Sequence, residues 1–283
     1  MSLATAPAAN KEMIEYWNSE AGETWAELGP LLDRQIEGIG RRAMDALGVR
    51  AGERVIDVGC GAGQTSVELA ARVGPTGAVL GVDISAPMLA VARKRAAQSP
   101  QIRLVQGDAQ IFDFEPGWGD AAFSRFGVMF FADPPAAFAN IRRGLRSGAR
   151  LAFACWREPF LNPFMGLPFA AAAPLLPEPP APFDPTAPGP FAFADEARVR
   201  GILADAGFAD VKMTPNDEKI GGGTLEETLR LALSIGPLGR AVRDRPELRE
   251  RVRDAVRAAL EKEEKDGRIF LGSASWIVTA RNP

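Results

Sequence analysis

A short apolar strand that breaks into a glycine-rich loop constrains the fold of this chain most. Residues 55–65 read VIDVGCGAGQT and residues 79–83 read VLGVD, which indicates two buried strands joined through a helix. The three glycines of the loop permit the positive φ angles and the close approach to a ligand that a Cβ atom would prevent. Asp83, at the end of the second strand, can accept hydrogen bonds from both hydroxyls of a ribose. The segment therefore predicts a nucleoside site in a parallel α/β fold, with a plain strand-to-helix turn as the alternative.

The spacing of the glycines separates two classes of nucleoside cofactor. Dinucleotide-binding loops follow G-x-G-x-x-G, where the third glycine allows close helix packing and the helix amino terminus faces a pyrophosphate. Here Gly59, Gly61 and Gly63 follow G-x-G-x-G, and Gln64 stands where the third glycine of the dinucleotide loop belongs. Asp57 precedes the loop, and its negative charge repels a pyrophosphate but suits a cationic or zwitterionic ligand. The loop therefore disfavours a nicotinamide-dependent reductase.

Three later segments, taken with the glycine loop, resemble the class I S-adenosylmethionine-dependent methyltransferases. A strand is predicted at 102–106, and the Gly-Asp-Ala that follows it resembles the family's acid for the adenine amino group. Residues 120–128 are similar to the family's fourth strand and its exit loop, and residues 145–153 are similar to its L-[KR]-P-G-G-x-[LF] turn into the fifth strand. In that turn, a serine and an alanine replace the usual proline and second glycine. The resemblance covers about residues 10–215 and is closest to bacterial small-molecule enzymes of the ubiquinone and menaquinone biosynthesis type.

The resemblance implies a doubly wound, mostly parallel seven-stranded sheet with amino-terminal helices and a lid insertion. It implies transfer of the methyl group of S-adenosylmethionine to an O, N or C atom of a small molecule, with S-adenosylhomocysteine as product. Asp57 would support the loop and the amino group of the methionine, or would cap backbone amides of its own loop. Asp83 would hold the ribose. The residues that the resemblance assigns to the cofactor are Asp57, Gly59, Gly61, Gly63, Asp83, Ile84, Met88, Asp108, Ala109, Ser124, Arg125 and Phe126.

The acceptor pocket is expected where the amino-terminal segment meets the ends of the fourth and fifth strands. Several aromatic side chains fall in these segments, and they favour an apolar or aromatic small-molecule acceptor. Ordinary packing in the core or the lid is the alternative for each of them. The candidates for this pocket are Tyr16, Trp17, Arg125, Met129, Trp156 and Phe160.

Two other functions would use the same cofactor site. An enzyme could use S-adenosylmethionine without methylating, for instance in a cyclisation that releases methylthioadenosine. A binding protein could keep the cofactor without turnover, because a fold does not fix a function. Product analysis distinguishes these functions from methyl transfer.

Histidine is absent from the 283 residues, and this absence excludes several kinds of site. It excludes Ser-His-Asp and Cys-His catalysis and any histidine-ligated metal centre. The two cysteines, Cys60 and Cys155, do not form a metal-binding pair, so no metal is expected. Because a sulfonium is already an activated methyl donor, positioning and desolvation can suffice, and a carboxylate, Tyr16 or no base at all would serve. No catalytic residue is assigned.

Net charge and hydropathy point to a cytoplasmic enzyme. The formal net charge is −3, whereas nucleic-acid binding usually requires a basic patch. The first ten residues lack the features of a signal peptide, and no apolar run is long enough to cross a bilayer. These properties predict neither a nucleic-acid partner nor a membrane span, and they leave a homodimer open.

The chain is expected to divide into a helical cap over residues 1–50 and a Rossmann-like domain over residues 51–283. The domain is expected to carry a lid at 157–193 and a helical insertion at 224–267, with its late strands antiparallel. Ser85 and Asp133 each precede an early proline, which predicts helix N-caps. Further predicted elements are helices at 35–47, 195–206, 224–235 and 246–265, and strands at 210–214 and 273–281.

The proposed lid is rich in proline and phenylalanine. Eleven of the 23 prolines lie between Pro159 and Pro190, a density that predicts no regular helix or strand. A disordered linker would not carry so many aromatic residues, so an ordered cover over the strand ends is expected, with an interdomain linker as the alternative. The interleaved phenylalanines are Phe160, Phe164, Phe169 and Phe183.

Overall fold

The computed structural model describes residues 10–177 and 184–283. They form an α/β fold with one mixed β-sheet and helices on both of its faces. The strands are β1 (Arg54–Val58), β2 (Ala78–Asp83), β3 (Ile102–Gln106), β4 (Gly119–Arg125), β5 (Leu145–Trp156), β6 (Ala209–Gly223), β7 (Glu264–Lys265) and β8 (Arg268–Arg281). The sheet order is β3-β2-β1-β4-β5-β8-β6, and the short strand β7 pairs with the start of β8.

The α-helices mostly connect these strands, and two precede the sheet. They are α1 (Lys11–Trp17), α2 (Glu20–Leu47), α3 (Gln64–Val73), α4 (Ala86–Arg95), α5 (Pro134–Arg143), α6 (Pro163–Ala172), α7 (Glu196–Asp205), α8 (Leu225–Ser234), α9 (Gly236–Arg243) and α10 (Arg249–Glu261). Within the described residues, none of these helices is long and apolar enough to cross a membrane.

The strand order places a ligand crevice at one edge of the sheet. Strands β1 to β5 are parallel, whereas β8 runs antiparallel between β5 and β6. The order reverses between β1 and β4, so the loops that leave these two strands turn in opposite directions and open a crevice at their carboxyl ends. The predicted doubly wound fold and the antiparallel late strands are therefore confirmed.

The first strands form a core because, apart from Asp57, their buried residues are apolar on both faces. Residues 55–58 of β1 and 79–82 of β2 are buried, as is typical of parallel strands covered by helices on each side. Helix α2 adds an apolar stripe to this core through Ile36, Ile39, Ala43, Met44 and Leu47, the positions that the sequence periodicity indicates.

Helix α2 is longer than the predicted helix at 35–47. It begins at Glu20, where the hydroxyl of Ser19 accepts a hydrogen bond from the backbone N–H of Ala21, and it continues through Pro30. An interior proline removes one backbone hydrogen bond and is unfavourable. Here burial of the apolar face on both sides of the proline, at Leu28 and Ile36, offsets that cost.

A second apolar cluster lies at the far end of the β6–β8 hairpin. It is called the hairpin cluster below, and it packs apart from the main core. Its buried side chains come from α6, α8, α9, α10 and the start of β8, and all of them are aliphatic, with Phe164 and Phe169 packed against them. The buried members are Ala172, Leu229, Leu238, Val242, Val252, Val256, Leu260, Ile269 and Leu271.

The proline-rich segment contains a regular helix, so the prediction of no regular structure there is wrong. Helix α6 begins at Pro163. A proline is tolerated in the first turn of a helix, because the backbone N–H that it lacks would make no hydrogen bond within the helix there. Pro168 lies inside the helix and is buried, and its cost is offset because α6 packs against α10 and β8. Phe183 lies outside the described residues.

Other predicted boundaries need correction towards the carboxyl terminus. The helix predicted at 246–265 covers only Arg249–Glu261, and residues 264–265 form β7 instead. The strand predicted at 210–214 extends to Gly223, the strand predicted at 273–281 begins at Arg268, and helix α9 was not predicted. By contrast, the predicted caps are confirmed: the Ser85 side chain accepts from the N–H of Met88, and that of Asp133 accepts from the N–H of Ala136.

Candidate active site

The glycine loop after β1 adopts a backbone that other residues reach only with strain. Gly59, Gly61 and Gly63 have φ angles of 66°, 53° and 81°. A Cβ atom on Gly59 would lie 2.8 Å from Cα of Gly127, so the loops that leave β1 and β4 cross in direct backbone contact. A Cβ atom on Gly63 would lie 2.8 Å from Cβ of Ala92, which explains the close packing of α3 against α4. The loop therefore needs glycine for both conformation and space.

Asp83 joins the glycine loop to the loop after β2. Its Oδ2 accepts a hydrogen bond from the N–H of Gly61 at 2.7 Å, and its Oδ1 accepts one from the N–H of Ser85 at 2.8 Å. Burial raises the pKa of Asp83, and these backbone hydrogen bonds counter that effect. Each carboxylate oxygen can accept a second hydrogen bond, which leaves capacity for a pair of hydroxyls.

Asp57 is fully buried beneath the loop and is only half satisfied. Its Oδ2 accepts hydrogen bonds from the hydroxyls of Thr65 at 2.8 Å and Ser66 at 2.6 Å. Its Oδ1 is buried, and no group in residues 10–177 or 184–283 donates to it. Burial raises the pKa of Asp57 to about 6. A cationic group of a ligand would satisfy this carboxylate, whereas a phosphate would not.

The acid after β3 is held from two sides. Asp108 Oδ1 accepts from the N–H of Gln110 at 2.9 Å, and Asp108 Oδ2 accepts from the side-chain amide of Asn10 at 2.7 Å. Ala109 is buried, and its carbonyl accepts from the side chain of Asn140. The amino-terminal segment therefore reaches the end of β3, at the acid that the resemblance assigns to an adenine.

The other end of α1 is fixed to the loop after β2. The Ser85 hydroxyl donates to the carbonyl of Trp17 at 2.8 Å. The Asn18 amide donates to the carbonyl of Ile84 at 2.9 Å, and its oxygen accepts from the N–H of Ala86 at 2.9 Å. Helix α1 consequently spans the loops after β2 and β3, and Met88 lies nearby, with its methyl group beside Gly61.

Arg125 connects the end of β4 to α2 and α3. Its guanidinium donates to Oε1 of Gln64 at 2.7 Å and to Oδ1 of Asp33 at 2.6 Å. Asp33 also accepts from Arg95 of α4 at 2.7 Å, so one carboxylate holds two arginines. Next to Arg125, the Ser124 hydroxyl accepts from a backbone N–H of the exit loop. Arg125 therefore orders the mouth of the glycine loop, in addition to any contact with a ligand.

An aromatic pair marks the carboxyl ends of β4 and β5. Phe126 has a φ of 63°, which is uncommon for a residue with a side chain, and its ring stacks on Trp156 with centroids 4.0 Å apart and an interplanar angle of 11°. A backbone conformation of this kind costs on the order of 1–3 kcal/mol and is found most often at functional sites. The stack is therefore a candidate wall of a pocket for a planar ligand.

The remaining acceptor candidates differ in their contacts and exposure. Trp17 makes edge contacts with Tyr16 and Phe130, at centroid distances of 5.3 Å in each case. Met129 is fully buried in the core. Phe160 is 80% exposed, so its ring lies at the surface in this arrangement. The structure thus groups Tyr16 with Trp17 and Phe126 with Trp156.

Two polar residues at the site, Asn10 and Asp33, were not identified from the sequence. Gln35 of α2, which lies against the end of β6, was not identified either. Gln35 is buried, both polar atoms of its amide lack a partner among the described residues, and its Nε2 would lie 3.1 Å from a Cβ on Gly223. A glutamine within the apolar stripe of α2 is the one local signal that could have indicated such a position.

Comparisons with known proteins agree with this geometry. Residues 55–148 match the family model described as a methyltransferase domain. A demethylmenaquinone methyltransferase of Staphylococcus aureus is 31% identical over 157 residues, which are 55% of this chain and 65% of that protein. The chain thus matches slightly less than two thirds of the length of this relative.

Residues 55–148 of the chain are therefore a methyltransferase domain. Two solved structures share the fold of the chain at low sequence identity. Phosphoethanolamine N-methyltransferase 2 of Haemonchus contortus, in complex with S-adenosylmethionine, is 16% identical with a TM-score of 0.58, and the match covers 99% of this chain and 61% of that one. The [4+2]-cyclase SpnF is 18% identical with a TM-score of 0.58, and the match covers 100% of this chain and 99% of that one.

Proposed function

We propose that this chain is a class I methyltransferase that transfers the methyl group of S-adenosylmethionine to an O, N or C atom of an apolar or aromatic small molecule. The observation that carries the proposal is the buried Asp57 carboxylate beneath the glycine loop, with one oxygen unpartnered among the described residues. The α-ammonium group of the methionine moiety would supply the missing donor and a compensating charge. A pyrophosphate in that position would be repelled.

The residues around Asp57 would supply the rest of the cofactor site. Asp83 would accept hydrogen bonds from the ribose hydroxyls, since each of its oxygens can accept one more beyond the backbone N–H that it already binds. Ile84 and Met88 would flank the adenine, and Asp108 with Ala109 would bind its edge. When bound, S-adenosylmethionine supplies a sulfonium methyl group that is already activated for transfer.

The chain's own contribution to the reaction is positioning and exclusion of water. Helix α2 covers the glycine loop, since a Cβ on Gly29 would be 3.3 Å from Cβ of Ala62. Helix α1 spans the neighbouring loops after β2 and β3. The Phe126–Trp156 stack would orient a planar acceptor. Alignment of two reactants in a dry site can supply much of the rate enhancement without a histidine base.

Calorimetric titration with S-adenosylmethionine, S-adenosylhomocysteine and NAD tests the cofactor. We expect both sulfur nucleosides to bind and NAD not to bind. Asp83→Ala should lose that binding, whereas the matched variant Asp120→Ala should keep it, because Asp120 lies at the opposite end of β4 and binds Arg54 and Arg146 instead. Binding of NAD alone, or of nothing, would overturn the proposal.

The reaction type needs a second measurement, because the same fold also serves a [4+2]-cyclase. We expect incubation with radiolabelled S-adenosylmethionine and a panel of planar apolar acceptors to transfer label and to release S-adenosylhomocysteine. Release of methylthioadenosine would favour the non-methylating alternative. Tight binding without turnover on any acceptor would favour a binding protein. A homodimer and a cytoplasmic location stay predictions of the sequence.

A further inference from the structure

Asn10 occupies a position where its side chain would ordinarily cap a helix, but it makes a distant contact instead. It immediately precedes α1, yet its side chain accepts no hydrogen bond from the first turn of that helix. Its Nδ2 donates to Oδ2 of Asp108 at 2.7 Å, across 98 positions of the sequence. Only 3% of Asn10 is exposed. The residue therefore belongs to the environment of Asp108 and not to the cap of α1.

The other half of the Asn10 amide has no partner within the described part of the chain. Its Oδ1 is buried, and none of the described groups donates to it. A buried acceptor without a donor is unfavourable, and such groups in folded proteins usually meet a ligand, an ion or a water molecule. Because the oxygen and nitrogen of an amide are bonded to the same carbon and this nitrogen contacts Asp108, Oδ1 lies within a few ångströms of that carboxylate. Two acceptors, one on each residue, are thus close enough to bind one ligand group.

The 6-amino group of adenine carries two N–H donors, which matches two adjacent acceptors. Asp108 Oδ2 already accepts from Asn10 and has capacity for a second donor. We infer that Asn10 reads the adenine of the cofactor together with Asp108, its Oδ1 accepting one N–H of the 6-amino group and the carboxylate accepting the other. This inference rests on the proposed function, and it adds a specificity-determining residue from the amino-terminal segment.

Asn18 provides a matched control within the same segment. It also ties the amino-terminal segment to the cofactor loops, but its side-chain nitrogen and oxygen both have partners: the carbonyls of Ile14 and Ile84, and the N–H of Ala86. It therefore anchors α1 and has no unpartnered group to offer a ligand. Asn18→Ala measures how much ligand affinity is lost when the segment is less firmly anchored. Asn10→Ala measures that loss together with the loss of the contact with the adenine.

The experiment compares two ligands that differ at one position of the base. S-adenosylhomocysteine and S-inosylhomocysteine share the ribose and the amino acid, but the inosine base has a carbonyl in place of the 6-amino group. We expect the wild-type protein to prefer S-adenosylhomocysteine, because a carbonyl would face two acceptors and make neither hydrogen bond. Asn10→Ala should lower the ratio of the two association constants by about tenfold. Asn18→Ala should weaken both ligands equally and preserve the ratio.

The ratio of the two association constants also shows whether the role of Asn10 or the proposed function is wrong. Partial unfolding of a variant changes both apparent affinities by the same factor and leaves their ratio unchanged, so it cannot imitate loss of adenine recognition. A wild-type protein that binds neither ligand would refute the proposed function itself. A wild-type protein that binds S-adenosylhomocysteine, with the same ratio in Asn10→Ala, would refute the role of Asn10 and leave the proposed function standing.

Discussion

The cofactor side of the sheet and the β6–β8 hairpin are built in different ways. On the cofactor side, the glycine loop and Asp83 lie within one short stretch, residues 59–83, and backbone geometry sets the site. The hairpin instead depends on side chains from distant segments, since α6, α8, α9 and α10 surround its end with a separate apolar cluster. The same chain therefore holds a site that local sequence determines and, beside it, a hairpin whose surroundings depend on tertiary packing.

The largest effect should come from a cavity in the hairpin cluster. Leu260 of α10 is fully buried there, so Leu260→Ala should lower the free energy of unfolding by about 2–5 kcal/mol. The affinity for S-adenosylhomocysteine should barely change, because α10 packs against α6 and α8 and lies away from the cofactor loops. Denaturant unfolding and calorimetric titration measure the two quantities.

Leu69→Ala is the control on the cofactor side. Leu69 is also fully buried, but α3 begins directly after the glycine loop. We expect a similar loss of stability together with weaker binding of S-adenosylhomocysteine. If both variants weakened binding to the same extent, the hairpin cluster would affect the cofactor site as strongly as α3 does.

A pH effect should be confined to the cofactor side. Asp57 has a pKa of about 6 in the folded chain against 3.8 as its ordinary value, so its ionisation opposes folding. Its stabilising contribution is present below pH 4 and is lost as the pH rises to 6, a change of about 3 kcal/mol. Asp57→Asn should remove this part of the pH dependence of unfolding.

Binding should show the opposite trend from stability. Because the ammonium group of S-adenosylhomocysteine requires the ionised carboxylate, the wild-type affinity should rise about tenfold from pH 5 to pH 7. Titrations of Asp57→Asn over the same range should be flat. A wild-type affinity independent of pH would show that Asp57 does not bind the ammonium group.

A smaller loss of stability should distinguish backbone strain from steric overlap in the glycine loop. Gly59 and Gly48 have nearly equal φ angles of 66° and 64°, but only Gly59 has a backbone neighbour where its Cβ would lie. Both alanine variants should be strained, and Gly59→Ala should lose about 1–3 kcal/mol more in the free energy of unfolding. Equal losses by denaturant titration would mean that the crossing with Gly127 relaxes easily.

The smallest effect should come from a surface ion pair between the two regions. Arg230 of α8 pairs with Glu27 of α2, and both side chains are more than half exposed. Glu27→Gln should therefore change the free energy of unfolding by less than about 1 kcal/mol. Measurement in about 1 M salt should abolish the difference, because screening removes most of an exposed pair's interaction.

The cofactor side could be predicted well because its signals are local. The strand at 102–106 has the predicted bounds, and Ser85 and Asp133 cap helices as the sequence indicates. A positive φ requires glycine, and a cap requires a short polar side chain, so each residue reports its own conformation. The roles assigned to the cofactor residues stay predictions, although the structure brings Asp57 and Asp83 to the same loop.

The rest depends on partners that no local pattern reveals. Asn10 meets Asp108 only after the chain has folded, and Asp33 holds Arg125 from 92 positions away. Proline propensity failed at α6 because burial against α10 outweighs a missing backbone hydrogen bond. Such pairings are set by the tertiary structure, and a single sequence does not display them.

Helix α2 limits how this chain could be recombined with its relatives. Consecutive residues of the helix face different regions: Asp33 binds arginines of α4 and β4, whereas Arg34 binds Glu227 of α8. Further along the helix, Arg42 binds Glu218 of β6. A chimera that imported a foreign hairpin would leave these cations without their acids, so the hairpin and the polar face of α2 would have to be exchanged as one unit.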